Sequence, residues 1–150
     1  MKSNSPEETR KLGERLAGEL RPGDVILLEG PLGAGKSEFA RGIALGLGVR
    51  ERVTSPSFTI LNVYTSGRCP LYHFDWYRLS DPEELYEMGM EEYLIGGDGI
   101  TLVEWPGQAA EALPADFLII EIEPEGESLR CFRTQRHGAF RQLNWEREGT

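Results

Sequence analysis

The sequence is poor in cysteine and lacks long hydrophobic runs, and each shortage argues against a class of protein. Two cysteines, Cys69 and Cys131, occur in 150 residues without metal-ligand spacing, whereas a disulfide-stapled secreted domain would carry more. No apolar run approaches the roughly 18 residues of a membrane-spanning helix. The first residues contain no apolar signal region, so we expect a cytoplasmic protein that makes no membrane contact.

Basic residues are outnumbered as well. The chain has 25 acidic and 16 basic residues, and its net charge of −9 argues against an overall basic nucleic-acid binder. Lysine accounts for only three of these 16 basic residues, namely Lys2, Lys11 and Lys36. A hydrophobic share of 39% and a charged share of 27% are ordinary for a globular protein, and the length predicts one domain over residues 1–150.

Hydrophobic periodicity predicts helices that alternate with strands. Ser5 and Pro6 begin a helix with leucines every four residues, and a second helix start at Asp81 predicts a helix to about Leu94. Short apolar runs predict strands at residues 25–28, 59–64, 71–76, 100–103 and 117–122. Residues 129–134 and 140–145 are expected to add two strands to a C-terminal antiparallel meander. The predicted fold is a three-layer α/β domain with a mixed sheet.

Residues 30–37 form a glycine-rich segment, Gly-Pro-Leu-Gly-Ala-Gly-Lys-Ser, that fits the phosphate-loop pattern G-x-x-x-x-G-K-[ST]. Glycines let the backbone curl so that its N–H groups face phosphate oxygens, and the following helix start adds positive potential. Lys36 is expected near the β- and γ-phosphates and the Ser37 hydroxyl on Mg²⁺. The predicted domain is therefore P-loop NTPase-like, and the alternative is a glycine-rich turn with a stray lysine. The expected nucleotide-binding residues are Pro31, Leu32, Gly33, Ala34, Gly35, Lys36, Ser37 and Glu38.

Two acids could complete a nucleotide site. Asp75 lies in a predicted strand, and Glu104 follows an apolar run in the usual layout of the second nucleotide-site motif. Each is otherwise a solvated acid at a strand end, and spacing does not decide which acid holds the metal. His73 shares a strand face with Asp75 and is either a structural histidine or a metal or base residue. Residues 54–58 are either metal-sensing hydroxyls or a polar turn fixed by Pro56.

Several segments together resemble the TsaE (YjeE) family, small bacterial ATPases required to form threonylcarbamoyladenosine in tRNA. The resemblance covers most of residues 5–110, and its later motifs are more specific than the phosphate loop alone. Ser37 and Pro31 stand where the family usually has Thr and Asp, and Pro31 removes one N–H from the loop. The matching segments are residues 32–37, 53–58 (Val-Thr-Ser-Pro-Ser-Phe), 73–79 (His-Phe-Asp-Trp-Tyr-Arg-Leu), 84–85, 88–89 and 104–106 (Glu-Trp-Pro).

The resemblance implies ATP as ligand and Mg²⁺ as metal. It implies that Asp75 assists Mg²⁺, that Glu104 is the catalytic carboxylate beside the metal, and that Trp105 lies near the nucleotide. Lys36 and Glu104 are then the catalytic residues, and Ser37, Asp75 and Glu104 the metal side. The implied partners are TsaB- and TsaD-like proteins, whose complex ATP hydrolysis would reset, with tRNA contacted through that complex.

Two other functions compete with this interpretation. A small P-loop phosphotransferase acting on a metabolite would need a lid, often with arginines, and no long segment of this kind lies between the loop and Glu104. A nucleotide-gated binding module would not need Glu104 at all. Two charged segments are either solvated faces or docking surfaces, the six acids of residues 81–92 and the arginines Arg130, Arg133, Arg136, Arg141 and Arg147.

Overall fold

Seven strands form one mixed sheet in the computed structural model, which describes residues 1–94 and 97–147. The strands are β1 (Lys2–Ser3), β2 (Val25–Glu29), β3 (Leu61–Tyr64), β4 (Leu71–Asp75), β5 (Ile100–Glu104), β6 (Phe117–Pro124) and β7 (Arg130–His137). The α-helices are α1 (Pro6–Ala17), α2 (Lys36–Gly46) and α3 (Glu83–Glu87), and the 3₁₀ helices are η1 (Glu91–Leu94), η2 (Pro106–Ala112) and η3 (Asn144–Arg147).

The order of the strands brings the ends of four parallel strands together. The sheet runs β1-β7-β6-β2-β5-β4-β3, with β2 at its centre. β2 pairs in parallel with β5 and β6, and β5 pairs in parallel with β4, whereas the outer pairs are antiparallel. Parallel strands end at the same edge of a sheet, and ligands of open α/β sheets bind at that edge. The α/β fold with a mixed sheet is therefore confirmed.

Both faces of the sheet are covered by apolar cores. Side chains alternate along the central strand, so β2 contributes to both cores. Ile26 and Leu28 face the core formed with α1 and α2, while Val25 and Leu27 face a second core. The second core contains Trp76, Leu85, Leu94 and other apolar residues from the opposite side of the molecule. Two cores around one sheet give the three layers predicted from the sequence.

The helix predicted from Asp81 to Leu94 is wrong as a single helix. The α-helix ends at Glu87, and a 3₁₀ turn begins at Glu91. Gly89 separates them because it adopts a left-handed φ of 69°, which an α-helix does not accommodate. The hydrophobic spacing persists across the break, so periodicity alone could not detect it.

The strand predicted over residues 140–145 is also wrong. This segment is irregular up to the 3₁₀ helix at Asn144, and its apolar residues instead pack into the core that contains α1 and α2. Trp145 is 1% exposed, and its indole Nε1 donates a hydrogen bond to the Leu12 carbonyl at 2.9 Å. The antiparallel group formed by β6 and β7 has β1 as its third strand instead, because Lys2 of β1 pairs with Cys131 of β7.

The start of α1 follows the prediction. The Ser5 side chain accepts a hydrogen bond from the backbone N–H of Glu8 at 3.1 Å, and Pro6 occupies the first turn. Among the helices in the described part of the chain, none has both the length and the apolar character needed to cross a bilayer.

Candidate nucleotide-binding site

The phosphate loop joins the central strand β2 to the start of α2. Gly33 and Gly35 have left-handed φ angles of 80° and 104°, a region that side-chain-bearing residues rarely adopt. Gly35 is the residue before α2, so the loop turns directly into a helix N-terminus. The first N–H groups of a helix have no intrahelical partner, and together they form a binding site for anions.

Lys36 is a buried lysine whose ammonium group lies within the site. Its side chain reaches back over the loop and donates to the Gly30 carbonyl at 2.6 Å. The same Nζ lies 3.7 Å from the centre of the Trp105 ring, a cation–π contact. Burial lowers the pKa of Lys36, and the nearby carboxylates of Glu104 and Asp75 act against that shift. The lysine is therefore a weakly solvated cation at the end of the loop.

Asp75 and Glu104 lie side by side at the ends of neighbouring strands. They pair in register between β4 and β5, and both are almost fully buried. The Ser57 hydroxyl donates to Asp75 Oδ2 at 3.1 Å, and the Tyr77 backbone N–H donates to Oδ1 at 2.9 Å. Both acids line a cleft of about 270 Å³ that also contains Ser37. The structure thus brings together the loop and the two acids that the sequence singled out.

His73 is hydrogen-bonded to Glu104 inside this site. Its Nε2 lies 2.7 Å from Glu104 Oε2, and the two side chains are 2% and 5% exposed. The other ring nitrogen, Nδ1, is buried without a hydrogen-bond partner in the described structure. Strand alternation predicts that His73 shares a face with Asp75, but it does not reveal the contact across to the next strand.

Trp105 lies at the junction between the acids and a second hollow. It has a left-handed backbone (φ 57°, ψ 51°), although it is not a glycine, and η2 follows directly at Pro106. The centres of the Trp105 and Tyr77 rings lie 4.9 Å apart. Trp105 and Lys36 also line a second cavity of about 290 Å³, bounded by Gly30, Pro31 and residues 106–108. Trp105 therefore lies beside the phosphate loop, and its position near a bound nucleotide stays a prediction.

The remaining loop residues differ in what their side chains can do. Leu32 is 71% exposed at the tip, whereas Ala34 is fully buried. The Glu38 carboxylate lies between Arg10 and Arg41, at 2.6 and 2.7 Å, so its side chain is already paired. Glu38 lies in the first turn of α2, so its main-chain N–H is the group available to a ligand there.

Arg130 is a residue of the site that sequence reasoning did not place there. Its Nε donates to the Ala34 carbonyl at 3.0 Å, and its Nη2 donates to the Gly33 carbonyl at 3.3 Å. Its Nη1 donates to carbonyl oxygens of the turn between β6 and β7, including that of Gly126 at 3.3 Å. In the sequence, Arg130 belongs to a charged C-terminal segment, and no local pattern there indicates a contact with a loop 96 residues earlier.

The other C-terminal arginines do not share one free basic face. Arg133 lies near Glu121 and Glu123, at 3.7 and 3.2 Å. Arg141 forms a two-pronged ion pair with Asp24. Arg136 is exposed, and the Arg147 side chain lies outside the described residues. Two of the five arginines, Arg130 and Arg141, therefore hold the fold together.

Comparison with known proteins identifies close relatives. The family described as "TsaE: Threonylcarbamoyl adenosine biosynthesis protein TsaE" matches residues 3–134. The tRNA threonylcarbamoyladenosine biosynthesis protein TsaE of Bacillus subtilis is 45% identical over 126 residues, which are 84% of this chain and 78% of that protein. The protein of the same name in Treponema pallidum is 43% identical, over 75% of this chain and 82% of its own length.

A solved structure has the same architecture. The crystal structure of Bacillus subtilis YdiB superposes with a TM-score of 0.77 at 39% sequence identity. The match covers 91% of this chain and 83% of that one.

Proposed function

This chain belongs to the TsaE family, and from that membership we propose that it binds ATP with Mg²⁺ and hydrolyses it to support formation of threonylcarbamoyladenosine in tRNA. The observation that supports this function best is the convergence of three separate segments at one sheet edge. The phosphate loop, Asp75 and Glu104 enclose a single cleft of about 270 Å³. A loop alone is sufficient to bind nucleotide, whereas hydrolysis also needs acids beside it.

Binding of the triphosphate is assigned to the loop and the start of α2. The helix N-terminus offers backbone N–H groups, and Lys36 supplies a positive charge for the β- and γ-phosphates. Burial makes this charge effective, because little water screens it. The loop residues Pro31 to Ser37 therefore contact the phosphates, together with the main chain of Glu38.

The donor set also suits Mg²⁺ held jointly by protein and nucleotide. The Ser37 hydroxyl and the carboxylates of Asp75 and Glu104 offer hard oxygen ligands in the same cleft. Within residues 1–94 and 97–147, no three His, Cys, Asp or Glu side chains form an all-protein metal cluster. Mg²⁺ commonly uses one or two carboxylates plus substrate phosphates, so this set is sufficient. When bound there, the metal neutralises phosphate charge.

Glu104 is assigned to the hydrolytic step. A water oxygen forms a bond to the γ-phosphorus and the bond from phosphorus to the bridging oxygen breaks. The proton that the water loses ends on the phosphate product, and ADP and phosphate leave. The Glu104 carboxylate orients that water, and Lys36 stabilises charge on the phosphate oxygens. Asp75 is assigned mainly to the metal, where Ser57 and the Tyr77 N–H hold its orientation.

The partners follow from the family. We assign the ATPase to a complex of TsaB- and TsaD-like proteins, with tRNA contacted through that complex, and propose that hydrolysis resets the complex for another turnover. The sequence after Glu104 carries no second catalytic motif, which favours an accessory ATPase over the modifying enzyme itself.

The decisive experiment is ATP hydrolysis by the purified chain, alone and with TsaB and TsaD. We expect strong stimulation by the pair and loss of that stimulation in Lys36→Ala, since Lys36 is the lysine of the loop. ATP binding without any stimulated hydrolysis would contradict the proposal. Transfer of the γ-phosphoryl group to an added metabolite would instead identify a phosphotransferase.

A further inference from the structure

A buried histidine lies behind the acid assigned to hydrolysis, where it does not face the phosphate loop as a ligand. His73 belongs to β4 and is registered opposite Leu102, two residues before Glu104 in β5. Its Nε2 and Glu104 Oε2 are 2.7 Å apart, and both side chains are withdrawn from solvent. Among the described residues, His73 supplies the hydrogen bond that holds the Glu104 carboxylate. None of the binding or hydrolytic steps above requires this imidazole.

The chemistry of the pair fixes which atom donates. In the carboxylate role assigned to it above, Glu104 offers only acceptor oxygens, and in that role the proton of this bond is on Nε2 of His73. The ring's other nitrogen, Nδ1, has no partner in its buried surroundings. A buried polar atom left unpaired is costly, so the single bond to Glu104 is the interaction that accounts for a histidine at this position.

The position of Lys36 explains why Glu104 needs such a restraint. Lys36 and Glu104 attract each other, since the Glu104 charge favours the protonated lysine. The Lys36 ammonium nevertheless rests on the Gly30 carbonyl and the Trp105 ring. With no bond to His73, the carboxylate would be drawn towards the ammonium and away from the position in which it orients water.

We propose that His73 is a positioning residue that holds the Glu104 carboxylate at the end of β5, separate from Lys36, in the orientation required for hydrolysis. This inference rests on the proposed ATPase function. Its bond comes from a neighbouring strand of the same sheet, so the support is as rigid as the strand pairing itself. His73 acts on turnover through Glu104 and contacts neither nucleotide nor metal.

Two variants of nearly equal size separate hydrogen bonding from packing. Gln places an amide N–H₂ near the position of Nε2, whereas Met fills similar space without a donor. We expect His73→Gln to retain kcat within about threefold, and His73→Met to lose about 10- to 100-fold, as for other residues that orient a reactive group. KM for ATP should change by less than about threefold in both variants, because His73 makes no contact with the bound nucleotide. Equal losses in the two variants, or full kcat in His73→Met, would overturn the proposal.

A spectroscopic measurement tests the bond without relying on activity. The chain has two histidines, and His137 is exposed, so His137→Gln assigns the imidazole signals in an ¹⁵N-histidine NMR spectrum. We expect a slowly exchanging Nε2–H signal from His73 that shifts in Glu104→Gln, while the His137 signal does not move. A His73 signal insensitive to Glu104→Gln would overturn the inference. If the wild type hydrolyses no ATP but shows the bonded signal, the ATPase function fails while the His73–Glu104 contact stands.

Discussion

The guanidinium of Arg130 lies against the phosphate loop, where its Nε donates to the Ala34 carbonyl at 3.0 Å across 96 residues of sequence. The same side chain binds the turn between β6 and β7 through the carbonyls of Gly126 and Glu127. Charge-assisted hydrogen bonds of this kind are stronger than neutral ones. Arg130 therefore links the C-terminal hairpin to the loop and restricts the loop's conformations.

Replacing Arg130 is expected to weaken nucleotide binding without any direct contact to the nucleotide. Arg130→Ala removes the bonds to Gly33 and Ala34, and the loop must then be ordered by the ligand. A loss of about 1.4 kcal/mol corresponds to tenfold weaker ATP binding, which is the expected magnitude. Arg133→Ala on the same strand is the control, because its ion pairs are exposed, and calorimetric titration should show unchanged affinity. Equal affinities of the two variants would contradict the proposed link.

Substitutions of Asp75 and Glu104 are expected to have different effects, the first on ATP binding and the second on turnover. Asp75→Asn weakens a proposed Mg²⁺ ligand, so ATP affinity should fall in Mg²⁺ but little in EDTA. Glu104→Gln keeps the shape and loses the charge, so ATP should still bind while kcat drops by about 100-fold or more. Paired binding and turnover assays of both variants measure this separation. The opposite pattern would exchange the two roles.

Local signals in the sequence were enough to predict the loop and most strands. Residues 30–37 carry their own pattern, and short apolar runs such as residues 25–28 lie where a buried strand is found. The side chains of β2 point alternately into two apolar cores, so the strand appears in the sequence as a continuous apolar run. Asp75 was predicted as a candidate because it lies in a predicted strand, and Glu104 because it follows an apolar run. The parallel pairing of β4 with β5 is what brings the two acids side by side.

Contacts between distant segments could not be predicted in the same way. Nothing near Arg130 or His73 in the sequence indicates the Ala34 carbonyl or the Glu104 carboxylate that each one binds. The helix after Asp81 was predicted too long because Gly89 breaks it without interrupting the hydrophobic spacing. Residues 140–145 were predicted as the last strand of a meander, whereas tertiary packing of Trp145 determines the structure of that segment.

Arg141 is expected to be required for stability. Its Nη1 and Nη2 donate to the two oxygens of Asp24 at 2.7 and 2.8 Å, and Asp24 is 8% exposed. Arg141→Met removes the cation beside a buried carboxylate and leaves it only the Arg21 backbone N–H, so the free energy of unfolding in urea should fall by about 3 kcal/mol. Exposed Arg136→Met is the matched control and should change it by less than about 0.5 kcal/mol. A small effect at Arg141 would instead return it to the group of arginines available to a partner.

The hydrogen bond of Tyr72 is expected to make the free energy of unfolding fall at alkaline pH. Its hydroxyl donates to Asp98 Oδ1 at 2.6 Å, and this bond, more than burial, raises the pKa of Tyr72 to about 12. The unfolded phenol ionises near pH 10, so this stabilisation is complete below about pH 10 and is lost as the pH rises through about 12.

The Tyr72→Phe variant isolates this effect from other groups that titrate in alkali. With allowance for solvent screening, the wild type should lose about 1 kcal/mol more unfolding free energy than Tyr72→Phe between about pH 9 and about pH 11. Urea denaturation at both pH values measures the difference. Parallel losses in the two proteins would show that the Tyr72–Asp98 bond does not carry it.

The central position of β2 also sets when the molecule can begin to work. β2 carries the phosphate loop, yet its two neighbours come from residues 100–104 and 117–124. During translation, β2 therefore has neither neighbour until residues 100–104 have left the ribosome, and Arg130 emerges later still. Parallel pairings this distant in sequence form slowly. A nascent chain should consequently acquire nucleotide affinity in one late step, after Arg130 has left the ribosome.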